Sequence, residues 1–271
     1  MRPPSEAFRR ALSKNPLGHE IDPAAACFQH QVLREKMAAA GADIVLLPPE
    51  PDLPDAPFVQ DVMVAFPRCE EPAPGRTALL VATRPGAPSR RAEVASVIAA
   101  ARGLVHSDCT LVSIEEPGTL DGGDVLLYGG RVAIGLSGRT NMDGASQLKR
   151  AVEELGYTAY LCPVSDTRLH FASAITKVRP DCFIGTATGY RDFDAVGPEV
   201  LPESEIKRIV IPDEEIVAHN VALIGDALFV PSGNPVSVRL LREAGEHVVE
   251  VDFDQFTRAD AGLTCLMGFV Y

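Results

Sequence analysis

Five short apolar runs, most of them rich in Val, Ile or Leu, are spaced along the chain. Runs of this length bounded by proline, glycine or polar residues predict buried strands. The predicted strands are residues 43–48, 110–114, 158–163, 207–212 and 247–252. A segment with helical spacing precedes each run, most clearly at residues 25–40, 90–102, 144–155 and 235–244. The pattern therefore predicts an α/β fold.

A polar loop follows each predicted strand, and four of the loops lead into a pair of apolar runs. These pairs predict hairpins that join residues 62–66 to 78–83, 125–128 to 132–135, 174–178 to 182–185, and 221–224 to 228–231. The last repeat carries one run, at residues 266–271. Five repeats favour a closed, propeller-like ring over residues 1–271 as a single domain, because a lone repeat leaves an open edge. An open α/β sheet with similar spacing is the alternative.

The composition narrows the classes of protein and partner. The chain is 46% hydrophobic, has no apolar run near the length of a membrane span, and lacks an apolar signal stretch at its basic start, so a cytoplasmic protein is expected. A formal charge of −12 disfavours nucleic acid and anionic membranes as partners. None of the six cysteines forms a CxxC pair, which argues against a zinc or dithiol motif. A homodimer is possible, but the sequence does not decide the oligomeric state.

Ionisable residues recur at the junctions between loops and hairpins. The junction residues are Asp61, Asp121 with Asp124, His170, Asn220 and Cys265. In a closed ring, equivalent positions face a common centre, so carboxylates, an imidazole and a thiol would converge there. A thiol beside an imidazole suits nucleophilic catalysis, and paired carboxylates suit a planar guanidinium.

Each of these residues also has an ordinary structural interpretation. The segment from Asp121 to Asp124 has the composition of a turn. His170 lies between Leu169 and Phe171, as a buried histidine would, and Cys265 beside Leu266 would fit a core. Only their matching positions in the repeats favour catalysis.

Several motifs, taken in order, resemble the dimethylarginine dimethylaminohydrolase family within the arginine deiminase and amidinotransferase superfamily. They cover nearly the whole chain: Leu-Pro-Asp ending at Asp55, Phe-Val-Gln-Asp ending at Asp61, residues 83–91, 119–124 and 135–141, Leu169-His170, and Leu-Thr-Cys ending at Cys265. The resemblance implies a five-bladed αβ propeller with pseudo-five-fold symmetry. It also implies hydrolysis of asymmetric dimethyl-L-arginine or monomethyl-L-arginine to L-citrulline and an amine.

The resemblance also implies roles for individual residues. Cys265 would attack the guanidinium carbon, and His170 would protonate the departing amine and then activate water to hydrolyse the covalent S-alkylthiouronium. Asp121 and Asp61 would hold the guanidinium. The other residues implied to contact substrate are Asp55, Gln60, Arg84, Arg139 and, through backbone carbonyls, Leu12 and Ala259. No cofactor and no metal are implied, although a thiol–imidazole pair can trap zinc as an inhibitor.

Two positions depart from related sequences. Gln60 stands where dimethylargininases usually carry Glu, which puts the exact small-molecule substrate in question. Ala172 stands where arginine deiminases and amidinotransferases carry an acid, which favours the dimethylargininase branch. The alternatives are a related hydrolase acting on arginine or citrulline, and a non-catalytic protein that binds an arginine-like ligand.

Overall fold

The computed structural model describes residues 1–68, 77–166, 168–173, 175–195, 200 and 206–270. These residues form an α/β structure with four sheets of three strands each. In chain order the strands are β1 (Met63–Pro67), β2 (Thr77–Ala82), β3 (Thr110–Ser113), β4 (Val125–Tyr128), β5 (Arg131–Leu136), β6 (Thr158–Pro163), β7 (Ile175–Arg179), β8 (Cys182–Thr186), β9 (Lys207–Ile211), β10 (Ala222–Ile224), β11 (Ala227–Pro231) and β12 (His247–Val251). The helices are α1 (Pro23–Ala39), α2 (Val94–Arg102), α3 (Met142–Glu153), α4 (Ala187–Asp194), α5 (Pro235–Glu243) and α6 (Asp254–Thr257).

All four sheets repeat one pattern of pairing. The first two strands form an antiparallel hairpin, and the third strand pairs in parallel with the second. In the sheet β4-β5-β6, Val125 pairs with Ile134, and Ile134 pairs with Leu161. A parallel pair needs a crossover, and helices α2, α3, α4 and α5 lie in the four crossovers.

The four predicted hairpins and the strands predicted at 110–114, 158–163, 207–212 and 247–252 are confirmed, although each sheet joins a hairpin to the strand of the following repeat. The strand predicted at residues 43–48 is wrong. Residues 43–48 form no strand; their backbone contacts are with Met1, whose ammonium donates to the Val45 carbonyl while its own carbonyl accepts from Leu47 N–H. Two such bonds do not make a ladder, and Pro48 has no N–H to extend one. Residues 266–270 are also not a strand, because their start closes the 3₁₀ helix Leu263–Leu266. Of the predicted hairpin segments, Ala174 and Tyr271 lie outside the described residues.

The chain divides into two compact units. The first unit comprises Met1–Phe58, Ile175–Tyr190 and Ile206–Met267, and the second comprises Val59–Ala174, Arg191–Glu205 and Gly268–Tyr271. The first unit has one core around Phe8, Leu33 and Phe256, and another around Ile184, Leu228 and Leu241.

Helix α3 shows how the second unit builds its core. Asn141 caps the helix by accepting from Gly144 N–H at 2.9 Å, so the helix begins earlier than the predicted residue 144. Ala145, Leu148 and Val152 are spaced along one face of α3 and are buried against strands β5 and β6. No helix in the described part of the chain has the length and apolarity that a membrane crossing requires.

Replacing Leu148 by Ala should destabilise this core. Leu148 is fully buried, so the free energy of unfolding should fall by about 2 to 5 kcal/mol through lost transfer energy and the cavity left behind. Urea unfolding followed by circular dichroism measures the change. Met142→Ala is the control, because Met142 lies on the same helix and is 54% exposed, and its effect should stay within about 0.5 kcal/mol. Equal urea midpoints for the two variants would contradict this description of the core.

Candidate active site

Three side chains predicted from sequence meet in the second unit. Asp61 lies on the 3₁₀ turn Val59–Val62 that leads into β1, and Asp121 precedes the turn Gly122–Asp124 that leads into β4. His170 Nε2 lies 3.1 Å from Asp121 Oδ2 and 3.9 Å from Asp61 Oδ1. All three are buried, His170 with 8% of its surface exposed. The cluster is therefore one imidazole held between two carboxylates.

The Gly-Gly pair inside the segment 121–124 is what allows this approach. A Cβ on Gly123 would lie 2.6 Å from His170 Nδ1 and 2.9 Å from Asp61 Oδ1. A Cβ on Gly122 would lie 2.0 Å from the Gln60 carbonyl oxygen. Gly123 N–H also donates to Asp61 Oδ1 at 3.1 Å. The ordinary-turn interpretation of this segment is therefore incomplete, since the glycines make room for the histidine.

Behind Asp61 lies a buried ion pair that the sequence analysis did not assign to the site. Arg90 Nη1 donates to Asp61 Oδ2 at 2.5 Å, and Arg90 Nε and Nη2 grip the Glu93 carboxylate at 2.8 to 3.2 Å. Both Arg90 and Glu93 are almost fully buried. An Arg followed three residues later by Glu is common on exposed helices, so only its burial identifies this pair as part of the site.

These neighbours set the protonation of the cluster. Burial lowers the pKa of His170, but the charges of Asp61, Asp124 and Asp121 and the hydrogen bond to Asp121 outweigh it and raise the pKa to about 9. Burial raises the pKa of Asp61, but His170 and Arg90 outweigh it, and the net shift is downward. At neutral pH the histidine is thus an imidazolium beside an ionised Asp61.

The cluster has more carboxylates than cations. Asp61, Asp121, Asp124 and Glu93 supply four carboxyl groups, while Arg90 and His170 supply two cationic ones. Such an arrangement favours a cationic ligand. The ligand atoms of Asp61, Asp121 and His170 lie within 4.8 Å of one another and could also hold a metal ion. A guanidinium suits the carboxylates as well, because its N–H groups match carboxylate oxygens.

Two predicted arginines lie on adjoining loops of the same unit. Arg84 donates from Nη1 to the Gly118 carbonyl at 3.0 Å, and its Nη2 lies 3.3 Å from the exposed carboxylate of Glu116. Arg139 is half-buried, and its Nη1 is buried with no hydrogen-bond partner among the described residues. A Cβ on Gly86 would lie 2.4 Å from the Arg139 carbonyl oxygen, so the two loops are packed backbone to backbone.

In the first unit, Cys265 lies on the 3₁₀ turn Leu263–Leu266. Its Sγ accepts a hydrogen bond from Gly262 N–H at 3.4 Å. Asn220 anchors the turn from outside: its Oδ1 accepts from Thr264 N–H at 2.9 Å and its Nδ2 donates to Thr264 Oγ1 at 3.2 Å. A half-buried thiol held on such a turn is accessible and oriented, unlike the buried Cys162 and Cys182.

Of the other residues predicted to contact substrate, three lie in the first unit and one in the second. Leu12 N–H donates to Asp55 Oδ1 at 3.0 Å in the first unit, so these two predicted residues lie together. Asp55 is buried and Leu12 is 44% exposed. The side chain of Ala259 is buried in the core with Phe8 and Phe256. Gln60 in the second unit is half-buried beside Asp61.

The raised pKa of His170 predicts a pH dependence of stability. The folded pKa of about 9 exceeds the ordinary 6.5, so the contribution to the free energy of unfolding is fully present below pH 6.5 and is lost as the pH rises through 9. The size of that contribution is on the order of 3 kcal/mol. Urea unfolding of wild type and His170→Gln at pH 6 and pH 10 should show the difference between them shrinking by this amount. The exposed His106, changed to Gln, should show no such trend; a constant wild-type advantage would contradict the charge assignment.

Two curated relatives match nearly the whole chain. An N(G),N(G)-dimethylarginine dimethylaminohydrolase of Streptomyces coelicolor is 36% identical over 269 residues, which cover 98% of this chain and 94% of that protein. Its counterpart in Pseudomonas aeruginosa is 28% identical over 267 residues, covering 98% and 96%. No protein-family profile matches the chain.

Solved structures of dimethylarginine dimethylaminohydrolases also have a fold similar to that of this chain. A cysteine-to-serine variant of the Pseudomonas aeruginosa enzyme complexed with citrulline superposes with a TM-score of 0.84 at 27% identity, covering 98% of this chain and 95% of that one. A dimethylarginine dimethylaminohydrolase histidine-to-glycine variant, solved as an adduct with S-methyl-L-thiocitrulline, gives a TM-score of 0.83 at 27% identity, covering 98% and 96%. The chain therefore belongs to the dimethylarginine dimethylaminohydrolase family.

Proposed function

We propose that this protein hydrolyses Nω-methylated L-arginine, either asymmetric dimethylarginine or monomethylarginine, to L-citrulline and dimethylamine or methylamine. The observation that carries the proposal is the buried imidazolium held between Asp61 and Asp121 in a cluster with excess carboxylates. Such a cluster suits a guanidinium ligand and also stores the proton that a departing amine needs. Family membership at 36% identity and the citrulline complex of a relative support the same substrate class.

In the proposed first step, the Cys265 thiolate attacks the central guanidinium carbon and a carbon–sulfur bond forms. His170, as the imidazolium, gives its proton to the methylated nitrogen, and the carbon–nitrogen bond breaks to release the amine. Asp61 and Asp121 hold the guanidinium N–H groups and so stabilise its positive charge. The product of this step is an S-alkylthiouronium on Cys265 and a neutral His170.

In the second step, neutral His170 takes a proton from water, and the resulting hydroxide attacks the thiouronium carbon. The tetrahedral intermediate collapses, the carbon–sulfur bond breaks to regenerate the Cys265 thiolate, and the hydroxyl proton passes to solvent as the carbonyl of neutral citrulline forms. The amine released in the first step takes up one proton from solvent and ends as its ammonium ion. The net reaction consumes one water and needs no redox partner. A pKa of about 9 in the resting state means that the histidine begins as the acid, as the first step requires.

The amino-acid end of the substrate is assigned to the predicted basic loops. Arg139 is favoured for the α-carboxylate because its buried Nη1 has no partner in the described structure. Arg84 is the second candidate, although Glu116 already pairs with it. Asp55 is proposed for the α-amino group, with the backbone near Leu12 and Ala259 completing the contacts.

We also propose the domain organisation, location and partners that the sequence predicts. They are a single domain over residues 1–271, a five-bladed propeller arrangement, a cytoplasmic location, a possible homodimer, and no nucleic-acid or membrane partner. The identical strand order in four sheets supports the repeat, and the charge of −12 supports the absence of anionic partners.

The first test is amine and citrulline release from asymmetric dimethylarginine by wild type and Cys265→Ala. Wild type should turn over and Cys265→Ala should not, because no other nucleophile is proposed. Cys27→Ala is the matched control, since Cys27 is an exposed cysteine of helix α1 and should be dispensable. Ammonia release from arginine that exceeds amine release from dimethylarginine would favour the arginine-hydrolase alternative. Gln60→Glu, which restores the residue usual in dimethylargininases, should then be tested for activity on dimethylarginine. Binding without turnover of any guanidine would favour the non-catalytic alternative.

A second test concerns the α-carboxylate. Arg139→Gln should raise KM for dimethylarginine by about tenfold to a hundredfold, the loss of one or two charge-assisted hydrogen bonds. The same change should leave KM unaltered for the decarboxylated analogue, an Nω-dimethylated agmatine, which offers no carboxylate. Arg150→Gln, an exposed position on helix α3, should behave as wild type. A similar KM increase for both substrates would mean that Arg139 does not read the carboxylate.

A further inference from the structure

A fourth carboxylate, Asp124, lies beside the cluster but has no part in the proposed chemistry. It is fully buried, and both of its oxygens are occupied. Oδ1 accepts from Phe171 N–H at 2.8 Å, while Oδ2 accepts from Ser137 Oγ at 2.6 Å and from Thr140 Oγ1 at 2.7 Å. These three donors are neutral, so the carboxylate is held by hydrogen bonds rather than by a salt bridge.

Each donor connects Asp124 to a proposed site residue. Phe171 is the residue after His170, so its N–H fixes the peptide that carries the acid–base group. Ser137 Oγ accepts from Arg139 N–H at 3.0 Å and therefore fixes the proposed carboxylate-binding loop. Thr140 Oγ1 accepts from Asp121 N–H at 3.1 Å.

We propose that Asp124 is a positioning residue that fixes the His170 loop and the Arg139 loop on one buried carboxylate. This inference rests on the proposed function of the same site. Asp124 thereby couples the orientation of the acid–base group to the grip on the amino-acid end of the substrate.

The directions of the hydrogen bonds require a carboxylate here. Ser137 Oγ already accepts from two backbone N–H groups, those of Arg139 and Thr140, so both of its lone pairs are used and it can only donate. An Asn at position 124 would turn an amide donor either toward Ser137 or toward Phe171 N–H. In either orientation a donor meets a donor, so Asp124→Asn loses an anchor although its shape is preserved.

The charge of Asp124 also acts on His170. Asp61 and Asp121 are the charged groups that face His170 from the turns packed against it. Asp124 accepts from the N–H of the next residue, Phe171, and Arg90 pairs with Asp61 Oδ2, the oxygen that is not nearest to His170. The three carboxyl groups raise the pKa of His170, and Arg90 opposes them. Burial raises the pKa of Asp124 itself, while His170 and the donors Ser137, Thr140 and Phe171 N–H oppose that shift and favour the carboxylate. Removing the charge of Asp124 should therefore lower the pKa of His170, which a purely structural role of Asp124 would not require.

The test compares wild type, Asp124→Asn and Ser137→Ala in dimethylarginine turnover across pH. Asp124→Asn should lower kcat by about tenfold, raise KM, and move the alkaline limb of the kcat profile to lower pH, consistent with loss of about one hydrogen bond and one charge. Ser137→Ala removes the anchor of the Arg139 and Thr140 N–H groups but leaves the bond from Asp124 to Phe171 N–H, so it should raise KM while kcat changes less than about twofold. The exposed Asp143→Asn, on helix α3, should match wild type.

A folded Asp124→Asn variant with wild-type kinetics and pH profile would overturn the proposal, as would a Ser137→Ala variant with unchanged KM. If Asp124→Asn does not fold, Ser137→Ala decides alone by the same criterion. If wild type turns over no guanidine, the proposed function fails separately, and an NMR titration of the His170 imidazole tests the inference instead. A lower pKa in Asp124→Asn than in wild type supports it, and an unchanged pKa overturns it.

Discussion

The contact on which the candidate site depends is the pairing of a buried imidazolium with two buried carboxylates, at 3.1 and 3.9 Å. Burying any one of these charges alone would cost several kcal/mol, so none is stable there without the others. The pairing extends outward, since Arg90 neutralises Asp61 and Glu93 in turn neutralises Arg90. A chain of alternating charges runs from the histidine into the body of the second unit. The carboxyl groups that face His170 outweigh its burial and raise its pKa to about 9, while His170 and Arg90 hold the pKa of Asp61 below its usual range.

Close packing around that contact constrains the sequence as strongly as charge does. Gly122 and Gly123 are needed because a side chain at either position would strike the Gln60 carbonyl or the His170 ring. Gly262 has the same role in the first unit, where a Cβ would lie 2.1 Å from Asn220 Cγ. In both places the missing side chain lets a turn of the site lie against a polar side chain, His170 for Gly123 and Asn220 for Gly262. The glycines beside Asp121 and Cys265 are therefore explained by contact rather than by backbone flexibility.

Local signals in the sequence predicted the local structure well. The four hairpins and the strands that complete their sheets follow from short apolar runs, and Pro235 at the start of α5 marks its first turn. The parallel pairing of those strands with the preceding hairpins was not predicted. Residues 43–48 had the same apolar pattern but formed no strand, because a strand needs a partner and Met1 supplies only two bonds. The sequence did not identify the Arg90 and Glu93 pair as part of the site. The pair belongs there because Arg90 is buried against Asp61, and spacing along the chain does not reveal that contact. Asp124 was visible as a junction residue, but its role depends on hydroxyl donors from a loop 13 and 16 residues away.

Gln60 does not decide which sign of charge the site favours. The site holds four carboxyl groups against two cationic ones without any contribution from residue 60. A guanidinium would therefore still find excess negative charge, and the amide at position 60 does not change the class of ligand that the cluster favours. What the amide changes is the hydrogen bonding beside Asp61, because Gln can donate as well as accept, whereas an ionised Glu only accepts. A methylated guanidinium nitrogen has lost N–H donors, so a neighbouring amide that can donate as well as accept is compatible with the methylated substrates.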